Sequence, residues 1–305
     1  MTLQPRAVIV RRRTELDELV ERHGTRGQVE FFLRTRGRTL AEVQDRHDLV
    51  AEALARASAA VPLEWRRAAV DREDLDRFLV DPLDVVVVVG QDGLVANVAK
   101  YLDGQPVIGV NPDPRANAGV LVRHAPADVA GLLVPAATGQ ARTLELTMAA
   151  ADLDDGQHLD ALNEIFVGHP THQSARYRVR AGATDAPWER QSSSGLVVAT
   201  GTGVTGWCAS IVRERGHNPG ALPAPDDAAL AWFVREAWPS VATGTSQTEG
   251  LLAGEALRIV VESESLVVFG DGMENDRLTA AWGQEIRVSR SSKTVRLVVG
   301  AAVRP

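Results

Sequence analysis

The sequence predicts an α/β domain built on a parallel, doubly wound sheet, followed by a domain of antiparallel strands. Three observations lead to this fold class. Residues 85–89 are five consecutive valines, a run that suits a strand buried on both faces. Helical spacing follows at Leu94, Val98 and Leu102. From about Thr143 the pattern changes to short segments of alternating apolar and polar residues, which is typical of antiparallel strands.

The elements of the first domain follow from local patterns. Residues 7–10 predict a strand, and Thr14 with Asp17 three residues later predicts a capping box that opens a helix. Residues 29–33 are predicted as a second strand. Residues 40–60 are predicted as a helix, and four residues share its apolar face: Leu49, Val50, Ala53 and Leu54. The valine strand, its helix and a strand at 106–110 complete a Rossmann-like domain, which we place at residues 1–140.

The second domain is predicted to be β-rich and sandwich-like, over residues 141–290. Residues 291–305 are expected to form a terminal strand that can return to the first domain. The strands are predicted at 143–150, 174–182, 194–200, 256–263, 266–272, 285–291 and 294–300. One helix is predicted to start at Trp207, residues 217–229 form a Pro-rich loop, and Trp232 and Trp238 are expected in the core.

Composition narrows the classes of function. The chain has 305 residues, enough for two cores, and its net charge of −7 argues against a nucleic-acid partner, which would require a basic face. No segment approaches the roughly 20 apolar residues of a membrane span. The single cysteine, Cys208, excludes an internal disulfide and fits a reducing compartment. With no signal-peptide pattern at the start, we expect a cytoplasmic protein without a membrane partner.

A glycine-bounded loop follows the valine strand. Gly90, Gln91, Asp92 and Gly93 stand where a strand gives way to a helix, so backbone N–H groups and the positive end of the helix dipole could hold a phosphate. The carboxylate of Asp92 is unexpected at such a place unless it has a chemical role. Asn111 ends the next strand, and in parallel sheets ligands collect at the carboxyl ends of strands.

A second glycine cluster, Gly201, Gly203 and Gly206, formally matches G-x-G-x-x-G. We do not interpret it as a dinucleotide fingerprint, because that motif requires a βαβ unit and the surrounding pattern is antiparallel. It still predicts a polar ligand loop, with hydroxyls from Thr202 and Thr205 and a flat ring from Trp207. Neither loop is a Walker A site, and His169 with His172 lacks a third ligand, so no metal site is predicted.

Five segments in order resemble the NAD kinase family, and most closely its NADH-kinase, mitochondrial-type branch. "VVVVVGQDGLVANVAKYL" is similar to the family's G-G-D-G segment, and "PVIGVNPDP" to the strand that follows it. "ALNEIFVGHP" carries the family's Asn-Glu pair as Asn163 and Glu164, and "SSSGLVVATGTGVTGW" is similar to its S-G-L…T-G-T-G segment. The closing segments "FVREAW" and "LVVFGDGMENDRLTAAWGQEIRVSRSSKTVRLVV" are similar to the family's closing strands, down to the D-G turn at Asp271 and Gly272.

The resemblance implies phosphorylation of the adenosine ribose 2′-hydroxyl of NAD or NADH by ATP with Mg²⁺, giving NADP or NADPH. It implies that Asp92 is the base, that the loop at Gly90, Gln91 and Gly93 admits the phosphates, and that Asn163 and Glu164 hold the adenosine ribose. The remaining residues that it implies line the nucleotide sites are Asn111, Ser194, Thr202, Thr205, Gly206 and Trp207. A homodimer is also expected, because a small antiparallel domain has free edges.

Two positions depart from the family pattern. Gln91 replaces the second glycine of the loop, and Ser194 stands where many bacterial members have aspartate, although serine is usual in the mitochondrial-type branch. Gln91 leaves two alternatives open. One is a catalytically impaired NAD-binding or regulatory protein on the same frame. The other is a kinase of a different small molecule that shares the glycine loop.

Overall fold

The computed structural model describes residues 4–182, 185–216 and 222–301. The described chain divides into two compact units. The first takes in the residues up to Leu144 and those from Arg296 onward, and the second runs from Glu145 to Val295. Parts of the predicted Pro-rich loop (217–221) and of the terminal strand (302–305) lie outside the described residues.

The first unit contains a parallel sheet. Its strands are β1 (Arg6–Arg11), β2 (Arg66–Asp71), β3 (Asp84–Val89) and β4 (Pro106–Val110), in the order β2-β1-β3-β4. Arg296 and Leu297 pair in parallel with Pro106 and Val107 at the free edge of β4. All six residues of β3 are buried, as expected for a central strand in a parallel sheet.

Helices of the first unit cover this sheet or pack beside it. They are α1 (Glu15–His23), α2 (Arg26–Arg34), α3 (Leu40–Ala59), α4 (Asp92–Ala99) and α5 (Val129–Ala137), with short 3₁₀ turns at Arg72–Arg77 and Pro126–Asp128. The predicted capping box of α1 is confirmed, because the Thr14 hydroxyl accepts the N–H of Asp17, whose carboxylate accepts the N–H of Thr14. Ala53 and Ala57 of α3 and four residues of α5 pack on Val85, Val87 and Val89.

The predicted strand at residues 29–33 is wrong, since these residues lie in α2. Thr25 caps this helix by accepting the N–H of Gln28 at 3.3 Å, and Val29 and Leu33, four residues apart, are buried against α1 and α3. The apolar face predicted for α3 is wrong at Leu49, which is 41% exposed, whereas Val43, Ala53 and Ala57 form the buried stripe.

Among its described residues, the second unit contains antiparallel strands, one α-helix and a short 3₁₀ turn at Gly203–Thr205. The strands of its six-stranded sheet follow the order β12-β11-β10-β7-β14-β15, and they are β7 (Glu164–Gly168), β10 (Leu196–Ala199), β11 (Leu230–Val234), β12 (Glu249–Leu252), β14 (Ser265–Gly270) and β15 (Met273–Ala281). The other strands are β5 (Arg142–Leu153), β6 (His158–Ala161), β8 (Ala175–Arg180), β9 (Glu189–Ser193), β13 (Leu257–Val261) and β16 (Glu285–Gly300). Among these, β13 pairs with β16 and β8, and β8 pairs with β9.

The four inner strands of the six-stranded sheet, β7, β10, β11 and β14, are mostly buried on both faces. Leu196 and Val198 of β10 lie in a core shared with β8, β13 and β16, whereas Val197 and Ala199 pack toward α6 (Trp207–Arg215). This alternation is the period of two that a strand imposes. Trp232 is buried as expected, but the core position expected for Trp238 is wrong, since its side chain is 70% exposed.

The two C-terminal strands predicted at 285–291 and 294–300 are one continuous strand, β16. Two polar residues, Ser292 and Lys293, separate the two predicted segments. In the structure the Ser291 hydroxyl donates to the buried Asp160 carboxylate at 2.7 Å, and the Lys293 ammonium lies 3.0 Å from the same carboxylate. Tertiary partners therefore accommodate a polar stretch inside a strand. Among the described residues, no helix is long and apolar enough to cross a membrane.

Candidate functional site

The loop between β3 and α4 has an ordinary backbone conformation at Gln91. Gln91 is the N-cap residue of α4, with φ −102° and ψ 165°, and its exposed side chain makes no capping hydrogen bond. A side chain is therefore accommodated without strain at this position. A Cβ added at Gly93 would meet nothing within 4 Å, whereas one at Gly90 would lie 3.1 Å from a methyl group of Leu94. The lack of a side chain at Gly93 leaves space beside the start of the helix.

The carboxylate of Asp92 is bound by three consecutive backbone N–H groups. Oδ1 accepts from Leu121 at 2.8 Å and from Val122 at 2.9 Å, and Oδ2 accepts from Val120 at 3.0 Å. Each carboxylate oxygen has two lone-pair positions, so one position on Oδ2 remains open. The side chain is half-buried at the first residue of α4, where the helix dipole also favours a negative charge. These contacts fix the orientation of the carboxylate.

Asn111 organises the loop that follows β4. Its amide oxygen accepts the N–H of Asp113 at 3.0 Å, and its amide nitrogen donates to the carbonyl of Asn117 at 3.1 Å. A Cβ at Gly119 would lie 2.7 Å from that nitrogen, so the segment that leads to the Asp92 clamp passes directly over Asn111. The structure thus brings Asn111 and Asp92 together through residues 119–122, with Asn111 in a supporting position.

In the second unit, Asn163 and Glu164 lie on a segment whose backbone is bound on both sides. The carboxylate of Asp271 accepts the N–H groups of Leu162, Asn163 and Glu164 at 2.9, 2.6 and 3.3 Å. The Thr200 hydroxyl donates to the carbonyl of Leu162, and the Thr200 N–H donates to that of Asn163 at 2.9 Å. The segment therefore has a single well-defined path.

Glu164 is electrostatically unusual. Its burial, together with the negative charge of Asp271, raises the pKa of Glu164 to about 7 from an ordinary value of 4.5. Among the described residues, no side chain donates a hydrogen bond to its carboxylate. Cys208 lies near it on α6, and burial and the Glu164 charge raise the pKa of that thiol to about 12, which favours its protonated form at neutral pH.

The loop from Thr200 to Trp207 packs against the Asn163 segment. A Cβ at Gly203 would lie 2.1 Å from the carbonyl oxygen of Asn163, so only glycine permits this approach. The Thr202 hydroxyl is buried without a hydrogen-bond partner, which is costly unless a ligand or water supplies one. The Thr205 hydroxyl donates to the carbonyl of Thr202 at 3.1 Å, and Gly206 is exposed.

Trp207 is already engaged with its neighbours. Its ring stacks on Phe166 at a centroid distance of 5.5 Å and an interplanar angle of 14°, and the Arg235 guanidinium lies 4.9 Å from its centroid. Ser194 is exposed in the turn before β10, and its N–H donates to the carbonyl of Arg235 at 2.9 Å. Arg235 therefore connects Ser194 to Trp207.

Several contributors had no signal of their own in the sequence. The N–H groups of Val120, Leu121 and Val122 are backbone atoms, and Thr200 ends an apolar strand without an unusual pattern. Asp271 was visible only as part of a D-G turn. Among the described residues, no group of three or more histidine, cysteine, aspartate or glutamate side chains could hold a metal ion.

Comparison with known proteins gives a consistent set of relatives. No family model matches the chain. It is 30% identical over 189 residues to the mitochondrial NAD kinase 2 of Rattus norvegicus, a match that covers 47% of this chain and 44% of the rat protein. It is 29% identical over 230 residues to the NAD kinase of Marinomonas sp. (strain MWYL1), covering 72% of each protein. With the NAD kinase of Geobacter metallireducens, identity is 24% over 238 residues, covering 76% of this chain and 78% of the relative.

Proposed function

Because the chain is a homologue of proteins named NAD kinase, we propose that it is an NAD(H) kinase. It transfers the γ-phosphoryl group of ATP to the adenosine ribose 2′-hydroxyl of NAD or NADH and forms NADP or NADPH. The observation that carries this proposal is Asp92: an oriented carboxylate with one open acceptor position, at the helix start that follows a buried parallel strand. Ligands of parallel sheets bind at this end of the strands.

In the proposed reaction Asp92 is the general base. Its Oδ1 already accepts two N–H bonds, so the incoming proton of the 2′-hydroxyl goes to Oδ2, which accepts one. The three backbone bonds hold this oxygen in place without any rearrangement. Phosphoryl transfer depends mainly on positioning and on neutralising charge, and an oriented base adds a smaller factor.

The loop of Gly90, Gln91 and Gly93 is proposed to admit the phosphates. Open space at Gly93 lets an anion approach the N–H groups at the start of α4. Mg²⁺ supplies charge neutralisation on the phosphates of ATP. We propose that an ion bound with ATP would be held chiefly by phosphate and water, as is common for Mg²⁺.

Residues of the second unit are proposed to bind the dinucleotide. The amide of Asn163 and the carboxylate of Glu164 bond the adenosine ribose hydroxyls. Thr202 offers a buried hydroxyl that lacks a partner, which a bound ligand would satisfy. The segment Thr205–Trp207 lines the same site, and Ser194 and Asn111 complete the set of nucleotide-binding residues. The burial of the Glu164 carboxyl group and the buried Thr202 hydroxyl without a hydrogen-bond partner support this assignment.

The proposal extends to the wider properties of the protein. We propose that the first domain is Rossmann-like and doubly wound, that the second is sandwich-like, and that the protein acts in the cytoplasm as a homodimer. Edge strands β12 and β15 of the six-stranded sheet support an assembly through strand edges. Sedimentation equilibrium tests the dimer.

The direct test is product formation. The purified chain is incubated with Mg-ATP and either NAD or NADH, and 2′-phosphorylated product is measured by chromatography, with the Asp92→Asn variant as the control. Product from the wild type alone supports the kinase. NAD binding without product would instead favour a dinucleotide-binding regulator, the alternative that the exposed Gln91 side chain at the loop supports. ATP consumption that is independent of NAD and NADH would favour a kinase of another small molecule.

A further inference from the structure

We propose that Asp271 is a positioning residue for the dinucleotide, acting through the backbone of Leu162, Asn163 and Glu164. The substrate part of this inference rests on the proposed function. Asp271 lies more than 100 positions along the chain from the segment that it binds; the spacings to Leu162, Asn163 and Glu164 are 109, 108 and 107. By binding this backbone, Asp271 sets the positions of the Asn163 and Glu164 side chains.

The turn that carries Asp271 is of a defined type. Asp271 and Gly272 connect β14 to β15 and have φ values of 55° and 67°. Two successive positive φ values are the requirement of a type I′ hairpin turn, for which Asp-Gly and Asn-Gly are the favoured pairs. The turn thus holds Asp271 in a conformation that few other residues adopt, and its carboxylate is aimed at the neighbouring segment.

The backbone of that segment is fully bound. All three N–H groups donate to Asp271, and the Asp271 N–H in turn donates to the carbonyl of Glu164 at 3.1 Å. The carbonyls of Leu162 and Asn163 accept from Thr200. The backbone N–H and carbonyl groups of residues 162–164 therefore all have protein partners, which fixes the path of this segment.

Asp271 also affects Glu164 through its charge. The carboxylate of Asp271 faces Glu164, and after burial it is the second cause of the raised pKa of Glu164. The Glu164 charge in turn contributes to the raised pKa of the nearby Cys208 thiol. A single aspartate thus fixes the position of the segment and influences the charge on its functional carboxyl group.

The substitution Asp271→Asn separates the turn from the clamp. Asparagine keeps the type I′ turn, because Asn-Gly is equally suited to it. Its amide has one oxygen, which can retain the two bonds to Asn163 and Glu164, while its NH₂ group then faces the N–H of Leu162. The clamp therefore loses a bond and gains a contact between two donors.

We expect hydrogen exchange of the amides at Leu162–Glu164 to accelerate by about tenfold or more, and NAD affinity measured by calorimetry to weaken by about tenfold. If the enzyme is active, KM for NAD rises by a similar factor while KM for ATP stays constant. Asp103→Asn is the matched control: it makes the same Asp-Gly to Asn-Gly change at an exposed turn whose carboxylate has no hydrogen bond among the described residues.

Unchanged exchange at 162–164, or unchanged NAD affinity, would overturn the inference. If Asp271→Asn fails to fold, Asp271→Gly provides the test, because glycine adopts the positive φ of this turn and removes the carboxylate that accepts the three N–H groups. The two proposals fail separately: absence of NADP(H) from the wild type refutes the kinase, whereas exchange and NAD binding decide the role of Asp271 without any product.

Discussion

The role of Asp92 can be tested by Asp92→Asn, because the hydrogen bonds of its carboxylate allow the loss of stability to be estimated. Asp92→Asn retains the size of the side chain, and its single oxygen can keep the two bonds from Leu121 and Val122. The amide nitrogen of the variant then faces the N–H of Val120, which in the wild type donates to Oδ2 of Asp92 at 3.0 Å. Losing one charge-assisted hydrogen bond and opposing two donors should cost about 1–3 kcal/mol in the free energy of unfolding.

The chemical effect should be much larger than this cost. Removing a general base lowers turnover by roughly 10²–10⁴-fold, while NAD affinity stays nearly constant because binding precedes proton transfer. We would measure kcat and KM by the rate of NADP formation, NAD affinity by calorimetry, and stability by urea unfolding. Asp103→Asn, which makes the same Asp-Gly to Asn-Gly change at an exposed position, is the control. If the Asp92→Asn variant retains near-wild-type turnover, Asp92 is not the general base, and its role is limited to the hydrogen bonds that it accepts from three backbone N–H groups.

Three further predictions concern the nucleotide sites. Gln91→Gly should change KM for ATP and leave that for NAD nearly constant; if the wild type is inert and this variant is active, the protein is a dinucleotide binder on a kinase frame. Asn163→Ala and Glu164→Ala should each weaken NAD binding by about 1–3 kcal/mol in calorimetry, and normal affinity in both would place the dinucleotide elsewhere. The pKa of Glu164 is raised to about 7, so the folded state binds this proton more tightly than the unfolded chain, whose ordinary value is 4.5. The contribution of this proton to the free energy of unfolding should be fully present below pH 4.5 and should fall by at most about 3 kcal/mol as the pH rises through about 7. Glu164→Gln should flatten this pH dependence in thermal unfolding.

Local signals predicted the elements of the fold where they determine structure by themselves. The capping box at Thr14 and the change from valine strand to helix at Asp92 depend on residues within one or two turns of each other, and both are present. Residues 29–33 misled because valine and phenylalanine are common in strands, although the four-residue spacing of Val29 and Leu33 already fits the helix that forms. The prediction of two strands in place of β16 was wrong because Ser291 and Lys293 bind the carboxylate of Asp160, which is distant in the sequence.

The candidate site was predictable in its side chains and not in its backbone. Asp92, Asn163 and Glu164 carry functional groups that a sequence displays directly. The groups that orient them are amides of Val120, Leu121 and Val122 in one unit and of residues 162–164 in the other, and an amide N–H is common to every residue except proline. Which amides converge on a carboxylate depends on tertiary structure alone.

Asp92 and Asp271 use the same arrangement, since each is followed by glycine and each carboxylate accepts three consecutive backbone N–H groups. Replacing either by asparagine should therefore cost a similar amount of stability, about 1–3 kcal/mol. Their effects on catalysis should differ in kind. Asp92→Asn should act on kcat because a proton acceptor is lost, and Asp271→Asn should act on KM for NAD because a binding segment is displaced. If both variants lower kcat by the same factor at equal stability, the clamp alone explains the loss, and the assignment of Asp92 as the base fails.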